Sequence, residues 1–181
     1  MNKVIFLLIF IFCQSSCYLY AQSNTLPSKY NTSDIELLYT KANSGDMDAQ
    51  FALGILYYNG DYIKQDYKKA IEWMEKSAKQ GNDLAQGVLG ILYKNGEGVR
   101  QDYKKAKDFL EASANQGNTN SQCILASLYF FEEGVRQDYN KAKELWEKAA
   151  RQGNSIAQGS LGEMYLMGNG VIKDYRKLKT G

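Results

Sequence analysis

Shifted against itself by 36 residues, the chain keeps matching itself, and that period constrains its fold more than any other feature. Residues 45–80, GDMDAQFALGILYYNGDYIKQDYKKAIEWMEKSAKQ, align with residues 81–116, GNDLAQGVLGILYKNGEGVRQDYKKAKDFLEASANQ. Residues 117–152 continue the register, and residues 153–181 begin a fourth, shorter copy. A period of this size signifies a helical solenoid, in which no unit can bury its apolar face alone and each covers the next.

Each unit carries two helical stripes. Ala49, Leu53, Leu56 and Tyr57 fall at helical spacing in the first half of a unit, and Ala70, Trp73, Met74, Ser77 and Ala78 do so in the second. Asp66, Asp102, Asp138 and Asp174 stand just before the second stripe, where a carboxylate accepts the orphan N–H groups of a helix start. Gly81, Gly117 and Gly153 follow that stripe, where a left-handed residue closes a helix. Gly54, Gly90 and Gly162 lie inside the first stripe, where Gly costs about 1 kcal/mol relative to Ala. Close approach of a neighbouring helix would offset that cost, and Ala126, the next smallest residue, takes the place in the third unit. Tyr57, Tyr93, Tyr129 and Tyr165 follow three residues later and read as packed rings whose hydroxyls find partners.

The set Ala49, Leu53, Gly54, Tyr57, Gly60, Asp66, Lys69, Ala70, Trp73, Ala78 and Gly81 resembles the Sel-one-like repeat (SLR), a relative of the tetratricopeptide repeat. The resemblance covers residues 45–181 and implies an all-α, right-handed α-solenoid of antiparallel helix pairs. Leu37 and Ala42 lie one period before Trp73 and Ala78, so a half-repeat helix is expected over residues 33–44. Tyr62 replaces the loop glycine seen as Gly98, Gly134 and Gly170, and Glu132 replaces the one seen as Gly60, Gly96 and Gly168. Those two loops are expected to differ in backbone conformation. The fourth copy has only residues 175–181 for its second helix, with Leu178 in the Ala position, and its end is expected to fray.

The N-terminus carries a different signal. Lys3, the apolar run at residues 4–13 and the polar turn at residues 14–16 read as a secretory signal over residues 1–21, cleaved after Ala21, with a flexible segment at residues 22–32. The apolar run is short for a bilayer span, so the mature chain is expected to hold no transmembrane helix. A lipid anchor at Cys17 is the alternative, although Gln14 stands where such a site normally has Leu. Removing the signal takes the net charge from +2 to +1 and leaves Cys123 as the sole cysteine, which excludes an intramolecular disulfide. A near-neutral chain lacks the clustered cationic excess of a nucleic-acid binder.

The absence of His removes Ser/His/Asp and Cys/His triads and the usual zinc sites. Cys123, beside Gln122 and Ile124, reads as a small packed thiol. Some cysteine-rich members of the family that the repeats resemble are linked to penicillin binding, but the chain has no Ser-x-x-Lys, and Lys179-Thr180-Gly181 alone is no such site. Gly96-Glu97-Gly98 and Gly168-Asn169-Gly170 lack the third glycine and the preceding strand of a dinucleotide loop. No catalytic residue, cofactor or metal is expected.

The family resemblance implies a binding scaffold for another protein, exported to the periplasm or cell surface, with an adaptor role favoured over an immunity-type role against a secreted toxin such as a lipase, and a hydrolase last. In the first unit Met47, Phe51, Ile55 and Tyr58 lie opposite the packing stripe. The equivalent positions vary in later units: Asp83, Gly87, Ile91 and Lys94, then Thr119, Cys123, Ser127 and Phe130, then Ser155, Gly159, Glu163 and Leu166. A constant packing stripe beside a variable one suits a shared scaffold with its own specificity, and the partner surface is expected there. Phe51 and Tyr58 have packing on the half-repeat helix near Leu37 and Leu38 as an equal alternative. Ile91, Lys94 and Phe130 are expected to face solvent, so that replacing Phe130 and Lys94 weakens binding without disturbing the fold.

Overall fold

The structure, a computed structural model, describes residues 32–60 and 62–170. The expected signal with Lys3, Cys13 and Cys17, the segment up to residue 31, and Asp174, Tyr175 and Leu178 of the fourth copy lie outside the described residues. Among the described residues there are eight helices and no strand: α1 (Thr32–Asn43), α2 (Met47–Asn59), α3 (Tyr67–Lys79), α4 (Asp83–Asn95), α5 (Tyr103–Asn115), α6 (Thr119–Phe131), α7 (Tyr139–Arg151) and α8 (Ser155–Met167). They fall into two compact units, residues 1–80 and 81–181.

In the first unit the helix ends are set by side chains that replace missing backbone partners. Asp46 accepts from Ala49 N at 2.8 Å to start α2, and Asp66 accepts from Lys69 N at 3.1 Å to start α3. At the end of α3, Ser77 Oγ donates to Met47 O at 2.7 Å, which sets the last turn of α3 against the first turn of α2 and makes the pair antiparallel. Between them Gly54 lets the helices close: a Cβ there would stand 2.5 Å from Met74 Cγ and 3.1 Å from Ala70 O. The core forms from Ala42, Ala49, Leu53 and Leu56, with Leu38, Tyr39, Ile63 and Trp73 packed against it.

The second unit repeats this construction. Asp102 and Asp138 cap α5 and α7 through the N–H groups of Lys105 and Lys141, both at 3.0 Å. Gly81, Gly117 and Gly153 all have positive φ just past the second helices, so the closing role read from the sequence holds. Ser113 Oγ donates to Asp83 O at 2.8 Å and fixes α5 antiparallel to α4. Ala85, Leu89, Ala106 and Leu110 lie fully buried between them.

The two kinds of helix differ in how much surface they bury. α2 buries eight of its 13 residues and is apolar almost all round, as an inner helix must be. The second helices keep one apolar stripe: α7 buries only Ala142, Trp146 and Ala149 and leaves its charged residues outward.

The two departures in the loops resolve against expectation. Tyr62 has φ 65°, beside 70°, 67° and 66° at Gly98, Gly134 and Gly170. Glu132 has φ 60°, beside 79°, 72° and 75° at Gly60, Gly96 and Gly168. Both loops therefore keep the left-handed backbone of their glycine counterparts instead of changing it. The reason is hydrogen bonding: Glu132 N–H still donates to Leu128 O, as Gly60, Gly96 and Gly168 donate to their own helices, and Asp138 N–H still reaches Tyr129 O at 3.0 Å. A left-handed residue with a Cβ costs roughly 1–2 kcal/mol, part of which Gly returns to the unfolded chain as entropy. Glu132→Gly is accordingly expected to stabilise the second unit by about 0.5–1 kcal/mol in urea denaturation; a lower midpoint at unchanged slope would refute this.

Candidate docking surface

Polar side chains inside the helix pairs hold the inner helices in place. Gln50 Nε2 donates to Ala42 O at 3.0 Å, while its Oε1 accepts from Gln80 Nε2 at 2.8 Å. Gln122 repeats both bonds, to Ala114 O at 3.1 Å and from Gln152 at 3.4 Å, and Gln116 donates to Gln86 Oε1 at 2.8 Å. Gln50, Gln86 and Gln122 are all buried. A buried amide left unpaired is costly, so these glutamines fix α2, α4 and α6 in register, whereas the equivalent Gln158 of α8 is exposed. The sequence reading missed them, along with the caps Asn82, Asn118 and Asn154, whose side chains accept from Ala85, Ser121 and Ala157 N–H. The available signal was a polar residue recurring at the repeat period inside an apolar helix.

The repeated tyrosines are packing groups, as read from the sequence. Tyr57, Tyr93 and Tyr129 are buried, and Lys69, Lys105 and Lys141 set Nζ over their rings at 5.2, 4.8 and 5.0 Å from the centroids. The Tyr57 hydroxyl meets that of Tyr39 at 2.5 Å, and Tyr129 donates to Glu111 Oε1 at 3.0 Å. Burial, then the hydrogen bond to Glu111, pushes Tyr129 up to about 12, so it is a protonated donor at neutral pH.

The residues expected to meet a partner divide by exposure. In the first unit Met47 is exposed and Tyr58 is half-buried, its ring 5.5 Å from Tyr67 edge to face, whereas Phe51 and Ile55 are buried. In the second unit Leu166 is exposed, and Ile91, Ser127 and Glu163 are half-buried. Glu163 has no ion pair or hydrogen bond among the described residues, and burial raises its pKa.

Three of the second-unit residues need correction. Phe130, expected to face solvent, is 9% exposed and rests on Phe131, Tyr139 and Trp146 at ring separations of 4.9, 5.2 and 5.2 Å. Lys94, expected to face solvent, is 14% exposed in its side chain and pairs with Glu133 Oε2 at 3.1 Å. Cys123 is buried, and its thiol donates to Asn154 Oδ1 at 3.3 Å. The physical reason is shared: an inner helix is covered on more than one side, so a position opposite one packing stripe meets another neighbour.

Among the described residues no group of Cys, Asp and Glu side chains is placed to hold a metal ion, and no helix is long and apolar enough to cross a membrane. Antiparallel helix pairs, each closed by a small residue, capped by Asp and Asn and pinned by glutamines, define the class as a helical-repeat protein. The Sel1 repeat model matches residues 48–82, 84–118, 119–154 and 155–177, and the chain belongs to that family. Sel1 repeat proteins are in general protein-interaction scaffolds.

The chain is similar to a solved protective antigen with an SLR fold, present in uropathogenic Escherichia coli strains, at 35% identity and a TM-score of 0.79. That likeness takes in 91% of this chain and 36% of the other, so this chain spans about a third of that protein. A Sel1 repeat protein from Oxalobacter formigenes is 38% identical with a TM-score of 0.68, over 72% of this chain and 98% of the other. An immunity protein from Pseudomonas aeruginosa shares the fold at 21% identity and a TM-score of 0.54, over 91% of this chain and 61% of its own. No curated protein matches the chain. These solved repeats place the fold in the all-α solenoid class read from the sequence.

Proposed function

We propose that this chain is an exported protein-interaction scaffold of the bacterial envelope, in the periplasm or at the cell surface, and that it docks another protein on the variable stripe of its inner helices. The observation that carries the reading is the pairing of a constant packing stripe with a variable one that keeps exposed or half-buried groups. In the second unit those groups are Ile91, Ser127, Glu163 and Leu166; in the first they are Met47 and Tyr58. Glu163 is a half-buried carboxylate with no cation beside it among the described residues, and a basic side chain on a partner would pair with it. Export rests on Lys3 and the apolar residues 4–13. The immunity-type role has one point in its favour, a shared fold with an immunity protein, but at 21% identity that likeness reaches the fold alone.

The test joins location to docking. Cell fractionation is expected to find the chain in the envelope or medium and shortened at its N-terminus; full-length protein confined to the cytoplasm would overturn the export reading. A photo-crosslinking residue placed at Leu166 is expected to capture an envelope protein, and the same residue at the exposed Lys104 of α5 is expected to capture none. Equal capture at both positions would move the docking surface off the inner helices.

A further inference from the structure

A second feature of the second unit lies apart from the variable stripe: a cleft of about 650 Å³ lined by Lys107 and Glu111 of α5, Tyr129 of α6, and Arg136, Asp138 and Lys141 around the start of α7. None of the stripe residues Ile91, Ser127, Glu163 and Leu166 lines it. Its volume falls within the range of sites that hold small ligands.

The charges of this cleft are unevenly committed. Both carboxylates already have partners within the fold: Glu111 accepts from Tyr129 Oη at 3.0 Å and pairs with Lys107 Nζ at 3.1 Å, and Asp138 accepts from Lys141 N at 3.0 Å as the cap of α7. Two cations do not. Lys141 Nζ lies over the Tyr129 ring, 5.0 Å from its centroid, and among the described residues no carboxylate lies within ion-pairing distance of it or of the exposed Arg136. A guanidinium and an ammonium thus stand at one cleft whose described carboxylates, Glu111 and Asp138, are both engaged, and the first turn of a 13-residue helix adds positive potential there.

We propose that this cleft binds an acidic peptide segment, whose side-chain carboxylates pair with Arg136 and Lys141. The guanidinium takes one carboxylate through paired N–H donors, and Lys141, already held over the tyrosine ring, takes a second. The cleft is thus a second recognition site, independent of docking on the inner-helix stripe.

The experiment is fluorescence anisotropy with a fluorescein-labelled tetraglutamate peptide and the full chain. Saturable binding is expected, weakened at least about tenfold by Arg136→Gln with Lys141→Gln. Lys104→Gln with Lys148→Gln removes the same charge at exposed positions that do not line the cleft and is expected to leave the affinity within about twofold. Equal weakening in the two pairs, or no binding by the parent chain, would overturn the proposal. So would displacement of the peptide by inorganic phosphate at the concentration at which unlabelled tetraglutamate displaces it, which would make the cleft a small-anion site. Should the double variant melt early, Arg136→Gln alone decides: its side chain is exposed, and it is expected to weaken the peptide several-fold at unchanged melting temperature.

Discussion

Phe130→Ala is expected to destabilise the second unit by about 3–5 kcal/mol, one of the two largest effects anticipated for any single change in this chain. The ring is 9% exposed and touches three other aromatic side chains, among them Trp146, itself 3% exposed. Removing it takes apolar surface out of the core and leaves a cavity that the surrounding rings fill only in part. The Trp146 indole N–H, buried with no hydrogen-bond partner among the described residues, would then stand beside that space. Set against the 5–15 kcal/mol typical of a domain, a loss of about this size removes much of the stability of the unit. Phe130→Leu, which keeps most of the volume, is expected to cost less. Urea denaturation followed by the emission of Trp146 in a Trp73→Phe background reads both; a loss under about 1 kcal/mol for Phe130→Ala would return Phe130 to the surface. The same result bears on binding: a Phe130→Ala variant that fails to bind a partner reports unfolding before it reports docking.

Phe130 also marks where the sequence stops being legible. A helical wheel places a residue relative to one stripe, and for α3, α5 and α7, with one buried face, that is enough: Ala70, Met74, Ser77, Ala106 and Leu110 are all buried as their spacing requires. An inner helix has more than one neighbour, so the angle that takes Phe130 or Cys123 away from one neighbour brings it to another. The punctuation was legible where a single residue decides it. Asp66, Asp102 and Asp138 cap because the first N–H groups of a helix have no acceptor within it and these carboxylates supply one, and Gly81, Gly117 and Gly153 turn left-handed because the helix closes there. It failed at Tyr62 and Glu132, where identity argued for a new backbone and the neighbouring hydrogen bonds kept the old one. Of the proposed docking residues, the sequence supplied the positions, but not which of them stay open: Leu166 and Lys94 are equivalent by register, and only Leu166 is exposed. Lys94 is covered because Glu133 of the next repeat holds it, a pairing across repeats that no single unit reveals.

Gly90→Leu is the second large effect, and it tests the helix interface directly. A Cβ on Gly90 would stand 2.6 Å from Leu110 Cγ and 3.2 Å from Ala106 O. The first atom belongs to a fully buried side chain and the second to the backbone of α5, so neither can withdraw without moving the helix. Leucine has the better intrinsic helix propensity, by about 0.8 kcal/mol over Gly, and on propensity alone the change would stabilise α4. Overpacking costs about 1–3 kcal/mol and more where the backbone must shift, which outweighs that gain. Lys104→Ala, on the exposed face of α5, removes charge and no packing and should stay within about 0.5 kcal/mol of the parent. Gly90→Ala is expected to fall between them, since its single methyl meets the same Leu110 atom, about 0.8 Å inside ordinary contact distance, but brings no further atoms into the interface. Melting curves should therefore order the variants as Lys104→Ala, then Gly90→Ala, then Gly90→Leu, with the last lower than the first by about 5 °C or more. Coincident curves would mean that α4 and α5 do not approach through Gly90, and the small-residue position of every repeat would need another explanation.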